Sequence, residues 1–176
     1  MALHQTRPPI PAPGNRASKA TAVGFSDPGK NVQNDCIVSG LCGPDSTSIS
    51  RVLVIDGKPG KSREIAAGFV GAGGFSVTET ASAREGLEAA LFTGADLVVL
   101  DAELGDGHSA GLLAQIRSSS DIPVIVISRK ATAGDVVQFL AAGADDCLVE
   151  PFGINVLLAR AQAVLRRHLW ARRRSS

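Results

Sequence analysis

Residues 51–168 predict an α/β protein: a doubly wound, five-stranded parallel sheet, (βα)5, in a three-layer α/β/α sandwich. Three observations carry this expectation. Five short apolar runs alternate with five stretches of helical periodicity. The runs are continuously apolar, so each strand is buried on both faces, as in a parallel sheet covered on each side. The repeats occupy about 120 residues, which suits an open sheet; a closed barrel of such units needs roughly 250.

The elements follow in order. Val52–Ile55 is the first buried strand and ends at Asp56. Ile65 and Phe69, four apart, define a helix ending near Gly71–Gly74. Phe75–Thr78 is the second strand, and Ser82 with Glu85 forms a capping-box pattern ahead of Leu87, Ala90 and Leu91. Leu97–Leu100 is the third strand and again ends in an aspartate, Asp101. Leu112, Leu113 and Ile116 suit the next helix, and Ile122–Ile127 is a fourth strand ending at Ser128. Thr132 caps a helix expected to turn Val136, Val137 and Leu140 inward, with Gly143 at its C-terminus. Cys147–Val149 is the fifth strand, followed by Glu150-Pro151. The last helix starts near Gly153 and runs through Leu157, Ala161, Val164 and Leu165.

Composition bounds the function. The 176 residues leave room for one domain of ordinary size, and 44% hydrophobic with 20% charged residues is globular. No apolar run approaches the roughly 20 residues needed to span a bilayer, and the N-terminus lacks the apolar core of a secretory signal. Cys36, Cys42 and Cys147 cannot all pair, which fits a reducing cytoplasm. Cys36 and Cys42 lie in an apolar island without further ligands at metal spacing. Tyrosine is absent and Trp170 stands alone, so no aromatic platform for single-stranded nucleic acid is expected. Residues 1–50, rich in proline and without periodicity, read as a disordered or loosely ordered leader. The formal charge of +1 conceals segregation: residues 51–150 carry −6 and residues 151–176 carry +6. The basic stretch 169–176 reads as a tail or the stub of a linker, and direct DNA binding is not expected because no DNA-reading motif is present.

In open α/β sheets, chemistry collects beyond the carboxyl ends of the strands. Asp56, Asp101, Ser128 and Glu150 stand there. One reading is an aspartyl-phosphate site, in which a carboxylate attacks a phosphoryl donor beside magnesium and a neighbouring hydroxyl senses the product. The alternative is a P-loop, suggested by Gly60-Lys61-Ser62. That motif wants glycine five residues before Gly60, where Ile55 lies inside a strand.

In combination, Val52–Asp56, Asp96–Asp101, Leu104-Gly105-Asp106-Gly107, Ile122–Ser128 and Gly143–Phe152 resemble the receiver domain of bacterial two-component response regulators. The likeness covers about Arg51 to Leu169. Gly143–Phe152, Leu157–Arg160 and Leu165–Arg167 look most like the OmpR/PhoB subgroup. The resemblance implies a flavodoxin/CheY-like fold for residues 51–168 and phosphate transfer from a histidine kinase or another phosphorelay protein. It implies Asp101 as phospho-acceptor and Ser128 as switch hydroxyl. It implies Mg²⁺ held by Asp56, Asp101 and the backbone carbonyl of Glu103, and a cis Glu150-Pro151 bond. Members usually continue into a winged-helix DNA-binding domain; here the chain reads as a stand-alone receiver.

The departures from the family lie at the site itself. The second of two adjacent acids is Gly57, the lysine before Pro-Phe is Glu150, the aromatic of strand five is Cys147, and the usual loop proline is Gly105. Exchanging lysine for glutamate turns attraction into repulsion; each such interaction is worth about 4 kcal/mol at about 4 Å and an effective dielectric of about 20. Available substitutes are Lys58 as the cation and Glu150 as a ligand oxygen. The expectation is therefore an atypical receiver with a weakened magnesium and phosphate pocket, acting largely as a protein-interaction module. The face of helix four, strand five and helix five is the expected homodimer surface. Asp145, Asp146, Arg160 and Arg167 resemble its ion-pairing positions, and Val136 and Val156 replace an opposite-charge pair.

Overall fold

A computed structural model describes residues 49–105 and 109–174. The leader, the island of Cys36 and Cys42, and the Asp106-Gly107 part of the acceptor loop lie outside the described residues. Ten elements alternate: β1 (Ser50–Ile55), α1 (Pro59–Ala72), β2 (Phe75–Thr80), α2 (Ala83–Phe92), β3 (Leu97–Asp101), α3 (Ser109–Ser119), β4 (Val124–Ser128), α4 (Ala133–Ala141), β5 (Asp146–Val149) and α5 (Ile154–Arg174). All strands are parallel, in the order β2-β1-β3-β4-β5. β4 begins two residues later than the apolar run does. Pro123 has no N–H to donate, though its carbonyl accepts from Val98 N–H at 2.9 Å.

Alternation along the strands splits the core in two. Leu53, Ile55, Val98, Leu100, Val124 and Val126 pack with Ala90 of α2 and Leu112, Leu113 and Ile116 of α3. Val52, Val54, Leu97, Val99, Ile125 and Ile127 pack with Ile65 and Phe69 of α1 and Leu157, Ala161 and Val164 of α5. This is the three-layer arrangement expected from the apolar runs.

Two helices differ from expectation. In α4 the side chains of Val137 and Leu140 point outward, 64% and 44% exposed, while Phe139 packs on the core. Thr132 and Asp135 form a reciprocal capping box that sets the phase of this nine-residue helix. Leu140 follows the inward Phe139 by one residue, and Val137 follows the half-buried Val136 by one, a rotation of about 100° in each case. Residues 169–174, expected as a tail, continue α5 as helix. Alanine, leucine and arginine are strong helix formers, and the three terminal arginines complement the negative end of the helix dipole.

Arg117 ties α3 to the sheet. Its Nε donates to Gly143 O at 2.6 Å, another guanidinium nitrogen donates to Ile122 O, and Nη2 donates to Asp145 Oδ2 at 2.6 Å. The same Asp145 oxygen accepts from Val124 N–H at 2.8 Å. Gly143 has φ +102°, and a Cβ there would come within 3.0 Å of Arg117 Cγ. Arg117→Met keeps the apolar stem and removes every donor. Its urea midpoint is expected to fall by the equivalent of about 1–2 kcal/mol with an unchanged slope, since two half-buried carbonyls and an exposed carboxylate lose a charged partner. An unchanged midpoint would show the linkage to be idle.

Candidate functional site

The sheet order reverses between β1 and β3, and their carboxyl ends open a crevice there. Register aligns the ends: Ile55 pairs with Leu100, Asp101 with Ile127, and Ser128 with Val149. Asp56, Asp101 and Ser128 thus reach one edge, 5%, 8% and 3% exposed. The cleft above them, about 240 Å³, is lined by Asp56, Lys58, Lys61, Asp101, Arg129 and Glu150 among others.

Each aspartate first organises its own loop. Lys58 N–H donates to Asp56 Oδ1 at 2.8 Å, and Glu103 N–H donates to Asp101 Oδ1 at 3.0 Å. Burial pushes the Asp56 carboxyl above its ordinary value, against the Lys58 amide, and the charge of Asp101 raises it further. The Lys58 ammonium sits 3.2 Å from Asp101 Oδ2. Lys61 Nζ lies 3.5 Å from Glu150 Oε1 and 5.3 Å from the centre of the Phe152 ring. Glu150, a candidate ligand in the sequence, therefore faces a lysine of α1.

Gly57 is not imposed by crowding: a Cβ there would meet Gly105 N at 3.4 Å and Ala81 O at 3.7 Å, ordinary contacts. Among the described residues no group of three or more acidic, histidine or cysteine side chains converges as a metal site. The adjacent Asp56 and Asp101 carboxylates remain an all-oxygen donor set of the kind a hard divalent cation such as Mg²⁺ takes, completed by water.

Gly60, Lys61 and Ser62 lie in the first turn of α1, and Ser62 donates to Glu79. The loop between β1 and α1 holds only Asp56–Lys58, too short to wrap a phosphate. Cys147 is half-buried with Phe139 against the core, and its thiol is raised by burial and by Asp146. The Glu150-Pro151 bond is cis.

On the α4–β5–α5 side, Asp145, Asp146 and Arg160 already have partners within the chain. Arg160 Nη1 meets Asp146 Oδ2 at 2.9 Å, and Asp145 is held by Arg117. Arg167 and Val156 are exposed, and Val136 is half-buried. Sequence reasoning missed the side chain of Glu103, which turns to β4: Ser128 Oγ donates to its Oε1 at 2.6 Å and Arg129 Nε to its Oε2 at 3.2 Å. Its only sequence signal is an acid two residues beyond Asp101.

A (βα)5 parallel sheet with paired aspartates at its switch point defines a CheY-like signalling domain, and known proteins agree. The chain belongs to the response regulator receiver domain family, whose pattern matches residues 52–162. It is 36% identical over 120 residues to the KDP operon transcriptional regulatory protein KdpE of Escherichia coli K12, covering 68% of this chain and 53% of that one. It is 43% identical over 94 residues to the transcriptional regulatory protein CseB of Streptomyces avermitilis, covering 53% and 40%. A two-component response regulator of Clostridium difficile superposes with a TM-score of 0.63 at 26% identity, covering 68% and 98%. The curated relatives are OmpR/PhoB-type regulators, and the chain spans about half the length of KdpE.

Because the Asp56 carboxyl is raised in the fold, the native state binds more protons there than the unfolded chain. Stability is untouched below the ordinary aspartate value of 3.8 and declines as pH rises from there through the raised value. Asp56→Asn keeps the acceptor for Lys58 N–H. Without divalent cations it is expected to melt above the parent at about pH 7 and level with it at about pH 3. Equal melting at both values would contradict the cost of holding this carboxylate charged when buried and beside Asp101.

Proposed function

We propose that this chain is a cytoplasmic receiver in two-component phosphorelay signalling in which Asp101 accepts the phosphoryl group slowly and in low yield. The supporting observation is the meeting of Asp56 and Asp101 at the switch point with the single ammonium of Lys58 on Asp101 Oδ2 at 3.2 Å. An Asp101 oxygen bonds to phosphorus as the bond from phosphorus to the kinase histidine, or to the leaving group of a small donor, breaks. Lys58 then pairs with the new phosphoryl oxygens, the task the family's lysine performs from the position of Glu150. Asp56, Asp101 and the Glu103 carbonyl would hold Mg²⁺, which would offset phosphoryl charge. Ser128 is the switch hydroxyl.

The pocket is weakened rather than lost. Gly57 removes one acid, and Lys58 competes with metal for Asp101. Chemistry is limited to self-phosphorylation and hydrolysis of the product, and the protein works chiefly by binding others. A second copy is one such partner: Val137, Leu140, Val149 and Val156 leave an exposed apolar set on α4, β5 and α5.

Incubation with acetyl phosphate and magnesium, followed by intact mass, should show slow, partial addition of one phosphate that disappears in Asp101→Ala. Gly57→Asp should tighten magnesium binding roughly tenfold or more and speed the addition, since it restores a charge beside the ion. Rapid stoichiometric labelling of the parent would overturn the weakened pocket; no labelling of either form would overturn the acceptor role. Sedimentation over a range of concentrations should show dimer formation that Val156→Asp abolishes, and an unchanged mass in that variant would remove the dimer.

A further inference from the structure

Glu103 sits two residues beyond Asp101, yet its carboxylate belongs to the neighbouring strand end. Oε1 accepts from Ser128 Oγ at 2.6 Å and from Arg129 N–H at 3.0 Å. Oε2 lies 3.2 Å from the same N–H and accepts from Arg129 Nε at 3.2 Å. A hydroxyl, a main-chain N–H and a guanidinium converging on one carboxylate form a donor set suited to an oxyanion. The hydroxyl contact has the length of a charge-assisted bond. Burial pushes the Glu103 carboxyl up, but the bonds from Ser128 and Arg129 outweigh it and hold the group below its ordinary value.

We propose that Ser128 and Arg129 form an oxyanion seat whose resident is the Glu103 carboxylate, and that an anion carried on Asp101 engages this seat only by displacing Glu103. Proton counting makes the two occupants exclusive at the Ser128 hydroxyl. Ser128 has one hydroxyl proton, given to Glu103, while its oxygen accepts from Lys130 N–H at 3.2 Å. Arg129 has one main-chain N–H, likewise given to Glu103. The hydroxyl proton cannot serve a second anion while the first remains; the main-chain N–H is shared between the two Glu103 oxygens, and the guanidinium keeps further donors. Glu103 is thus a positioning residue: its amide orients Asp101 and its side chain sets how readily the β4 end responds. The seat stands whether or not Asp101 is phosphorylated; the displacement step rests on the acceptor role proposed above.

The test uses the full chain and the variants Glu103→Ala and Glu103→Gln, both of which keep the backbone carbonyl. Without donor or metal, amide hydrogen exchange at Arg129 should quicken roughly tenfold or more in Glu103→Ala, the loss of a bond to a charged acceptor. Unchanged exchange in both variants would overturn the seat. Beryllium fluoride with magnesium then serves as the phosphoryl probe, followed by the Arg129 and Lys130 amide resonances. Half-saturation should fall roughly tenfold in Glu103→Ala. Equal or weaker binding than in the parent would overturn the displacement. If no form binds the probe, the acceptor role fails, and exchange at Arg129 alone still decides the seat.

Discussion

Burying the three central strands, β1, β3 and β4, on both faces leaves no place for charge in their interiors, whereas the edge strands β2 and β5 stay half-exposed. In the centre, polar side chains can emerge only where the strands stop, and Asp56, Asp101 and Ser128 follow the buried runs of β1, β3 and β4. Register then decides which of them meet. Because β1 and β3 are neighbours in space but not in sequence, two aspartates 45 positions apart share one crevice. The site is therefore a consequence of packing, and its acidity is a cost that nearby cations must offset.

One of those cations, Lys58, was the substitute the sequence offered; Lys61 is a second. With Glu150 at the end of β5, positive charge is supplied from the start of α1: Lys58 reaches Asp101 and Lys61 reaches Glu150. The pocket keeps charge balance by moving its lysines across the crevice. The exchange is not equivalent for phosphoryl chemistry. Lys58 shares a loop with Asp56 and pairs with Asp101, two of the proposed metal ligands, so it would contend with the cation it would assist. Arg129, drawn to Glu103, is committed at a third corner.

The strands and their terminal aspartates were legible because continuous apolar runs admit one reading and the residues ending them are few. The order of the helices was legible for the same reason. Less could be read where local pattern depends on a partner far away. Val137 and Leu140 looked inward from apolar spacing alone, but Phe139 is the residue of this helix that packs against core residues contributed by strands and helices distant in sequence. The bond from Ser128 to Glu103 joins positions 25 apart through a side chain with no periodic role. The extent of α5 was invisible because basic charge resembles a solvated tail, although the same residues are good helix formers.

The Arg117 linkage bears on inheritance. Gly143 offers its carbonyl to Arg117, and a Cβ there would press on that side chain at 3.0 Å, while Asp145 accepts from the same guanidinium. A side chain at 143 would crowd Arg117 as well as strain a backbone held at φ +102°, and a shorter residue at 117 would leave the carboxylate at 145 with the Val124 N–H but without its guanidinium. The three positions are coupled by geometry, so they should drift as a group through a lineage, and a change at any one of them would be tolerated best in chains where the other two had already moved.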